Sequence, residues 1–166
     1  MKANICVAAL LLVIIGCTPQ QTDQLTQQQK DQIKSEVKAV CDSIIAKEVG
    51  LDPKVAQYFS DSVDLGIVNA DGSRWDLQTF KKACLDFPNS VTSIKWITTR
   101  QDFTFLTKDI VICAWDGKDE TLMKSGDKII IDPHAFTMVF KKIAGQWKVI
   151  YSHDSGIAVT QKTGKK

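Results

Sequence analysis

His134-Ala135-Phe136-Thr137-Met138-Val139-Phe140, followed after Ala144-Gly145 by Gln146-Trp147-Lys148-Val149-Ile150-Tyr151-Ser152-His153-Asp154-Ser155, reads as two strands joined by a hairpin turn. Successive side chains of a strand point to opposite faces of its sheet. His134, Phe136, Met138 and Phe140 therefore share one face of the first strand. In the second, alternation groups Trp147, Val149, Tyr151 and His153, and puts Lys148, Ile150, Ser152 and Asp154 on the reverse.

Working back from this hairpin, the same composition recurs. Val91 to Leu106 carries Ile94, Trp96, Phe103 and Phe105; Ile110 to Trp115 is a compact apolar run; Lys128 to Ile131 precedes Pro133. Short connections predict an antiparallel meander. Further upstream the period becomes helical from Lys30, with Ile33, Val37, Val40, Cys41 and Ile44 on one stripe that Gly50 ends. Asp52-Pro53 opens a short second helix with Val55, Tyr58 and Phe59. Val63 to Val68 has strand composition and Asn69-Ala70-Asp71-Gly72 is a turn signal. Asp76 caps a third helix bearing Leu77, Phe80, Cys84 and Leu85, with Pro88-Asn89 as its end. About three helices followed by a curved antiparallel sheet make an α+β domain.

Composition agrees with one globular unit: 166 residues, 44% hydrophobic and 24% charged. A formal charge of +2 argues against a nucleic-acid partner. With only two histidines and no HExxH, CxxC or P-loop pattern, neither a metal nor a cofactor is expected.

Residues 1–16 have a different character. Met1-Lys2 leads into the unbroken apolar run Ile5 to Ile15, about 16 Å of helix against roughly 30 Å of membrane hydrocarbon, the proportions of a secretory signal. Ile14-Ile15-Gly16-Cys17 resembles the lipobox of bacterial lipoproteins. The resemblance implies cleavage before Cys17 and attachment of a diacylglycerol thioether there, with palmitate-type acyl chains anchoring the protein to a membrane of the cell envelope. Thr18 in place of an aspartate implies the outer membrane if the host is Gram-negative. Residues 17–29, with six glutamines from Thr18 onward, are expected to be a flexible tether. The folded unit then covers 30–158 and residues 159–166 form a frayed tail. Cys41, Cys84 and Cys113 permit at most one internal disulfide in an oxidising compartment, and are expected mainly as apolar filler.

The order of elements and the closing stretch from His134 to Ser155, with a Trp after a Gly turn and a His-x-Ser tail, resemble the SnoaL-like proteins of the nuclear transport factor 2-like superfamily. The resemblance implies a cone-shaped α+β fold with a pocket between helices and bent sheet, and no single activity. Tyr58, Trp96, Trp115, His134, Phe136, Tyr151 and His153 are the expected lining. The first expectation is a non-catalytic module that binds a small apolar or amphipathic ligand or a protein partner, a second copy included. The alternative is an isomerase or dehydratase with an acid/base pair in the pocket, for which His153 or Asp102 would serve as base and Tyr151 or Tyr58 as donor. Ser152-His153-Asp154 is not a triad, because adjacent strand residues diverge. A zinc site from the two histidines with Asp132 or Asp154 lacks ligand spacing.

The anchor is directly testable. Cys17→Ala is expected to block processing and lipidation together, so that the chain keeps residues 1–16 by intact mass, whereas the unaltered chain loses them and gains the mass of the lipid.

Overall fold

The computed structural model describes residues 24–162; the leader, Cys17 and residues 163–166 lie outside them. Helix α1 spans Gln27–Val49. It begins inside the stretch expected to be tether, because Thr26 and Gln29 form a capping box: the Thr26 hydroxyl accepts from the Gln29 N–H, and the Thr26 N–H donates to Gln29 Oε1 at 2.8 Å. Glutamine is a competent helix former once its first turn is capped. Ile33, Val37, Cys41 and Ile44 form the buried stripe. The second helix is a single 3₁₀ segment, Pro53–Tyr58, capped by Asp52. Helix α2, Leu77–Ser90, is capped by Asp76, whose carboxylate accepts from the Thr79 N–H at 2.7 Å. It runs two residues past Pro88, which costs the last turn one N–H to the Cys84 carbonyl without ending the helix there.

Six strands form one sheet in the order β2-β1-β6-β5-β4-β3. Strands β3 (Val91–Thr107), β4 (Ile110–Met123), β5 (Lys128–Ile143) and β6 (Gln146–Gln161) make the antiparallel meander, each longer than the apolar run that announced it. Strand β6 continues to Gln161, into the segment expected to fray. The short β1 (Gly66–Val68) lies parallel to β6, and β2 (Arg74–Trp75) closes that edge. Ala144 and Gly145, both at positive φ, make the β5–β6 turn. Among the described residues no helix is long and apolar enough to cross a membrane.

Two irregularities, one in β5 and one in β6, bend the part of the sheet that matters here. Gly117 pairs with His134 but Asp119 with Ile131, so β5 carries an extra residue around Asp132–Pro133 and passes through the proline as one strand. In β6, Phe140 pairs with Val149 and Val139 with Tyr151, which leaves Ile150 unpaired. Side chains facing the core are Trp147 and Val149 before this bulge, and Ser152 after it. Simple alternation across β6 is thereby corrected: Tyr151 and His153 pass to the outer face while Ser152 and Asp154 turn inward.

The core lies between α1 and the first halves of β4 and β6 with the second halves of β3 and β5, the end of the sheet nearest the β3–β4 and β5–β6 turns. Val37 and Cys41 are fully buried against a cluster containing Val111, Cys113, Trp115, Phe140 and Val149. At its edge Glu36 receives hydrogen bonds from Lys142 Nζ (2.8 Å), Trp147 Nε1 (2.8 Å) and Gln32 Nε2 (2.9 Å). These donors, Lys142 foremost, hold the Glu36 carboxyl at a pKa of about 2 against its ordinary 4.5. A depressed carboxylate stabilises the fold above its unfolded pKa and loses that contribution as pH falls through the folded value. Glu36→Gln is therefore expected to remove part of the stability lost between pH 4.5 and about 2, measured as urea midpoints across that range.

Candidate functional site

Where the sheet curls away from the core, β6, β5, β4 and β3 form one wall of a cavity of about 300 Å³. The opposite wall comes from the end of α1, the 3₁₀ segment and α2, and the short strands β1 and β2 close the side. Most of the lining is apolar: Val55, Phe59, Ile67, Trp75, Phe80 and Phe87 from the helical side, and Trp96, Phe136 and Met138 from the sheet. Into this surface project Glu48, Asp119, His134 and Asp154, and the Lys47–Asp52 ion pair (2.6 Å) lines the helical side.

His134 is only 4% exposed. Its Nε2 lies 2.5 Å from Asp154 Oδ1, and its Nδ1 lies 2.7 Å from Asp119 Oδ2. The two contacts are unequal. The Asp154 contact is aligned as a hydrogen bond, whereas Asp119 sits off the Nδ1–H direction, an ion pair that leaves Nδ1 without a directed acceptor. Burial by itself would push the imidazole pKa down; the two carboxylates outweigh it and raise the value to about 9. The ring centroid also lies 4.4 Å from that of Phe136, tilted against it, and 5.2 Å from that of Trp96, edge-on. Because Asp119 and Asp154 flank opposite ring nitrogens, the three groups do not converge on a common point, and the described residues contain no metal-binding cluster.

Glu48 reaches the same space from α1. The residue is exposed by area, and it lines the cavity from the helical side. Desolvation raises its pKa to about 7; Asp154 and Asp119 push the same way and His134 opposes them. A carboxyl that titrates near neutrality stands beside an imidazolium that does not.

Trp96 is held over this group by Gly117. A Cβ at Gly117 would fall 2.9 Å from the Trp96 ring and 2.5 Å from the Ile97 carbonyl oxygen, so the bare backbone lets the indole lie flat on β4. Both Trp96 and Trp115 donate their indole N–H to Thr98 Oγ1, at 2.9 and 3.0 Å.

Of the lining expected from alternation, Trp96, His134 and Phe136 face the cavity together. Trp115 is buried beneath Trp96 in an edge-to-face contact at 5.5 Å and lies in the core. Tyr58 packs on the core from the end of the 3₁₀ segment. Tyr151 packs against Gly66, and His153 is exposed, paired with Thr137 on the far face; the Ile150 bulge puts both there. Asp102 is exposed on β3 and bound to Arg100 at 2.5 Å. None of these five lines the cavity, so His153, Tyr151 and Asp102 do not share it with Glu48, His134 and Asp154, which do. Asp119 and Glu48 had readable signals: Asp119 continues the inward set of Val111, Cys113 and Trp115, and Glu48 extends the Cys41–Ile44 stripe of α1.

No family model matches the chain, and no curated protein matches it. Solved structures do. A candidate scytalone dehydratase from Novosphingobium aromaticivorans DSM 12444 superposes with a TM-score of 0.73 at 10% identity, over 85% of this chain and 94% of that one. A nuclear transport factor 2-like superfamily protein from Salmonella enterica serovar Typhimurium LT2 gives 0.66 at 14% identity, over 81% and 96%. A hexachlorocyclohexane dehydrochlorinase, LinA type 2, gives 0.63 at 13% identity, over 80% and 94%. At such identities the likeness concerns architecture, and the architecture is the nuclear transport factor 2-like cone.

Removing His134 should be costly in a way that pH reports. His134→Ala leaves two carboxylates in an apolar site without their cation, a loss of about 3 kcal/mol or more at pH 7. Urea unfolding at pH 7 and pH 10 measures it: the loss should be smaller at pH 10, where the imidazole of the unaltered protein has given up its charge. In the unaltered protein, Glu48 lowers stability as pH rises from 4.5 to about 7. The contribution of His134, full below 6.5, is lost as pH rises through about 9.

Proposed function

We propose that this chain is an envelope lipoprotein, tethered to the membrane through Cys17, whose cone pocket carries out acid–base elimination on a small, mainly apolar molecule. The observation that carries the catalytic reading is the Asp119–His134–Asp154 cluster with Glu48 beside it in an apolar cavity. Burying ionised groups costs folding energy, and a cavity that gathers a buried imidazole between two aspartates, with a glutamate on the same lining, is where shifted proton affinities serve chemistry. Two of the architectural neighbours are named for eliminations, a dehydratase and a dehydrochlorinase, which supports the same class here.

An elimination takes a proton from one carbon and expels hydroxide or halide from the next. Glu48, ionised in part near neutrality, takes the carbon-bound proton. His134 remains an imidazolium to about pH 9 and is the donor: a substrate oxygen that displaces Asp154 from Nε2 receives its proton and leaves as water. Asp119 keeps the ring in place meanwhile. Return of a proton from Glu48 to His134 through solvent restores the starting state, so one proton is taken and one given per turnover. Four carboxyl groups (Glu48, Asp52, Asp119, Asp154) against one imidazole and the Lys47 ammonium, which Asp52 already neutralises, make the pocket unfavourable to anions and select neutral or cationic substrates. The cavity volume, at the low end for small-molecule sites, limits their size.

A panel of small neutral β-hydroxy ketones, followed by the absorbance of the conjugated product, tests this. Turnover should show a limb near pH 7. Glu48→Gln should reduce it by roughly 10²–10⁴-fold and abolish that limb, with folding retained, and carboxylate-bearing analogues should be poor substrates. Ligands that quench tryptophan fluorescence with no product formed, and with binding indifferent to Glu48→Gln, would return the protein to the non-catalytic binding reading.

A further inference from the structure

Cys41 and Cys113 meet in the middle of the core. Cys41 lies on the buried stripe of α1 and Cys113 on the inward face of β4; both are 0% exposed, and their Sγ atoms are 3.9 Å apart. The contact joins positions 72 residues apart in the chain, across the interface between the long helix and the sheet. Cys84 is elsewhere, half-buried on α2 in the cavity wall.

We propose that Cys41 and Cys113 are a disulfide-forming site, closed when the chain folds in an oxidising compartment; the compartment rests on the export reading above, the pairing on geometry alone. A disulfide needs its sulfurs about 2.05 Å apart. The two thiols already face each other, so closure requires an approach of about 1.9 Å, within reach of small side-chain rotations and a slight settling of α1 onto β4. The chemistry is thiol–disulfide exchange. One cysteine thiolate attacks a small or protein-borne disulfide and releases one thiol; the second cysteine displaces the other. The pair gives up two electrons and two protons, and the oxidant is reduced to two thiols.

Burial sets the order of events. In the folded thiol form the contact with Cys113 and desolvation both push the Cys41 thiol up, so it is neither ionised nor reachable. Exchange therefore precedes final docking of α1, and the bond, once enclosed, resists reductants. The position also matters to the cavity. Glu48 is seven residues beyond Cys41, two turns along the same side of α1, and Asp119 is six residues beyond Cys113 on the same side of β4. A bond between the cysteines holds the helix bearing Glu48 at a set height over the strand bearing Asp119.

The reduced full-length chain, refolded in detergent with oxidised and reduced glutathione, is the test. Expected are a mass about 2 Da below the fully reduced form, a cross-linked peptide pair containing Cys41 and Cys113, and alkylation at Cys84 and at whichever of Cys6 and Cys17 the chain carries as a thiol. The unfolding temperature should rise by about 10 °C over the reduced chain, as expected for closing a loop of this length in a domain of this size. Cys84→Ala should keep the rise and Cys113→Ala should lose it. Chain that refolds with 41 and 113 still reduced, or that pairs either with Cys84, overturns the proposal. The same chain isolated from cells, with thiols blocked at lysis, separates the premises: a bond formed on refolding by a chain that cells do not export refutes export and upholds the pairing.

Discussion

The ion pairs of His134 constrain this molecule more than any other contact. An imidazolium buried among aromatic rings is tolerable only with anions beside it, and Asp119 and Asp154 come from the two strands that flank β5. Each carboxylate therefore depends on strand register. A one-residue slip on either side of β5 would send Asp119 or Asp154 to the outer face and leave the ring uncompensated. The two bulges, at Asp132–Pro133 and at Ile150, are where that register is set, and they are also where the sheet bends into a cone. Curvature and charge placement thus have one structural cause.

This explains which parts of the molecule were legible in the sequence. Local patterns gave the helices, because the stripe from Ile33 to Ile44 and the caps Asp52 and Asp76 act over a few residues. The meander followed from apolar runs and short turns, and the cone from its likeness to known proteins. The inward face of β5 was readable, since His134, Phe136, Met138 and Phe140 precede no further bulge in that strand. The far half of β6 was not. Ile150 is an ordinary strand residue, and nothing in its type announces that two residues will oppose one; every assignment beyond it was inverted, His153 for Asp154 and Tyr151 for Ser152. Parallel pairing of β1 with β6 was equally hidden, because it depends on a chain return of some eighty residues rather than on a turn.

Glu48 illustrates a different gap. Its place on the stripe of α1 is visible, yet a glutamate at the end of an apolar stripe is commonly a solvated helix terminus. What makes it a titrating group is the sheet behind it: desolvation first, then the two aspartates, partly offset by His134. Proton affinity here belongs to the assembled cavity. No segment of chain, taken by itself, contains it.

The distribution of polarity finally bears on whether the pocket merely holds a ligand. A cavity intended only for an apolar guest is served best by apolar walls, and replacing a buried ion cluster by hydrophobic side chains commonly leaves stability unchanged or improved. This fold instead spends three strands and a helix end on one imidazole and three carboxyls, and leaves His134 Nδ1 without a directed acceptor although it is buried. The elimination proposed above gives these groups a use: with Glu48 at about 7 and His134 at about 9, it would have a proton acceptor and a proton donor together at neutral pH.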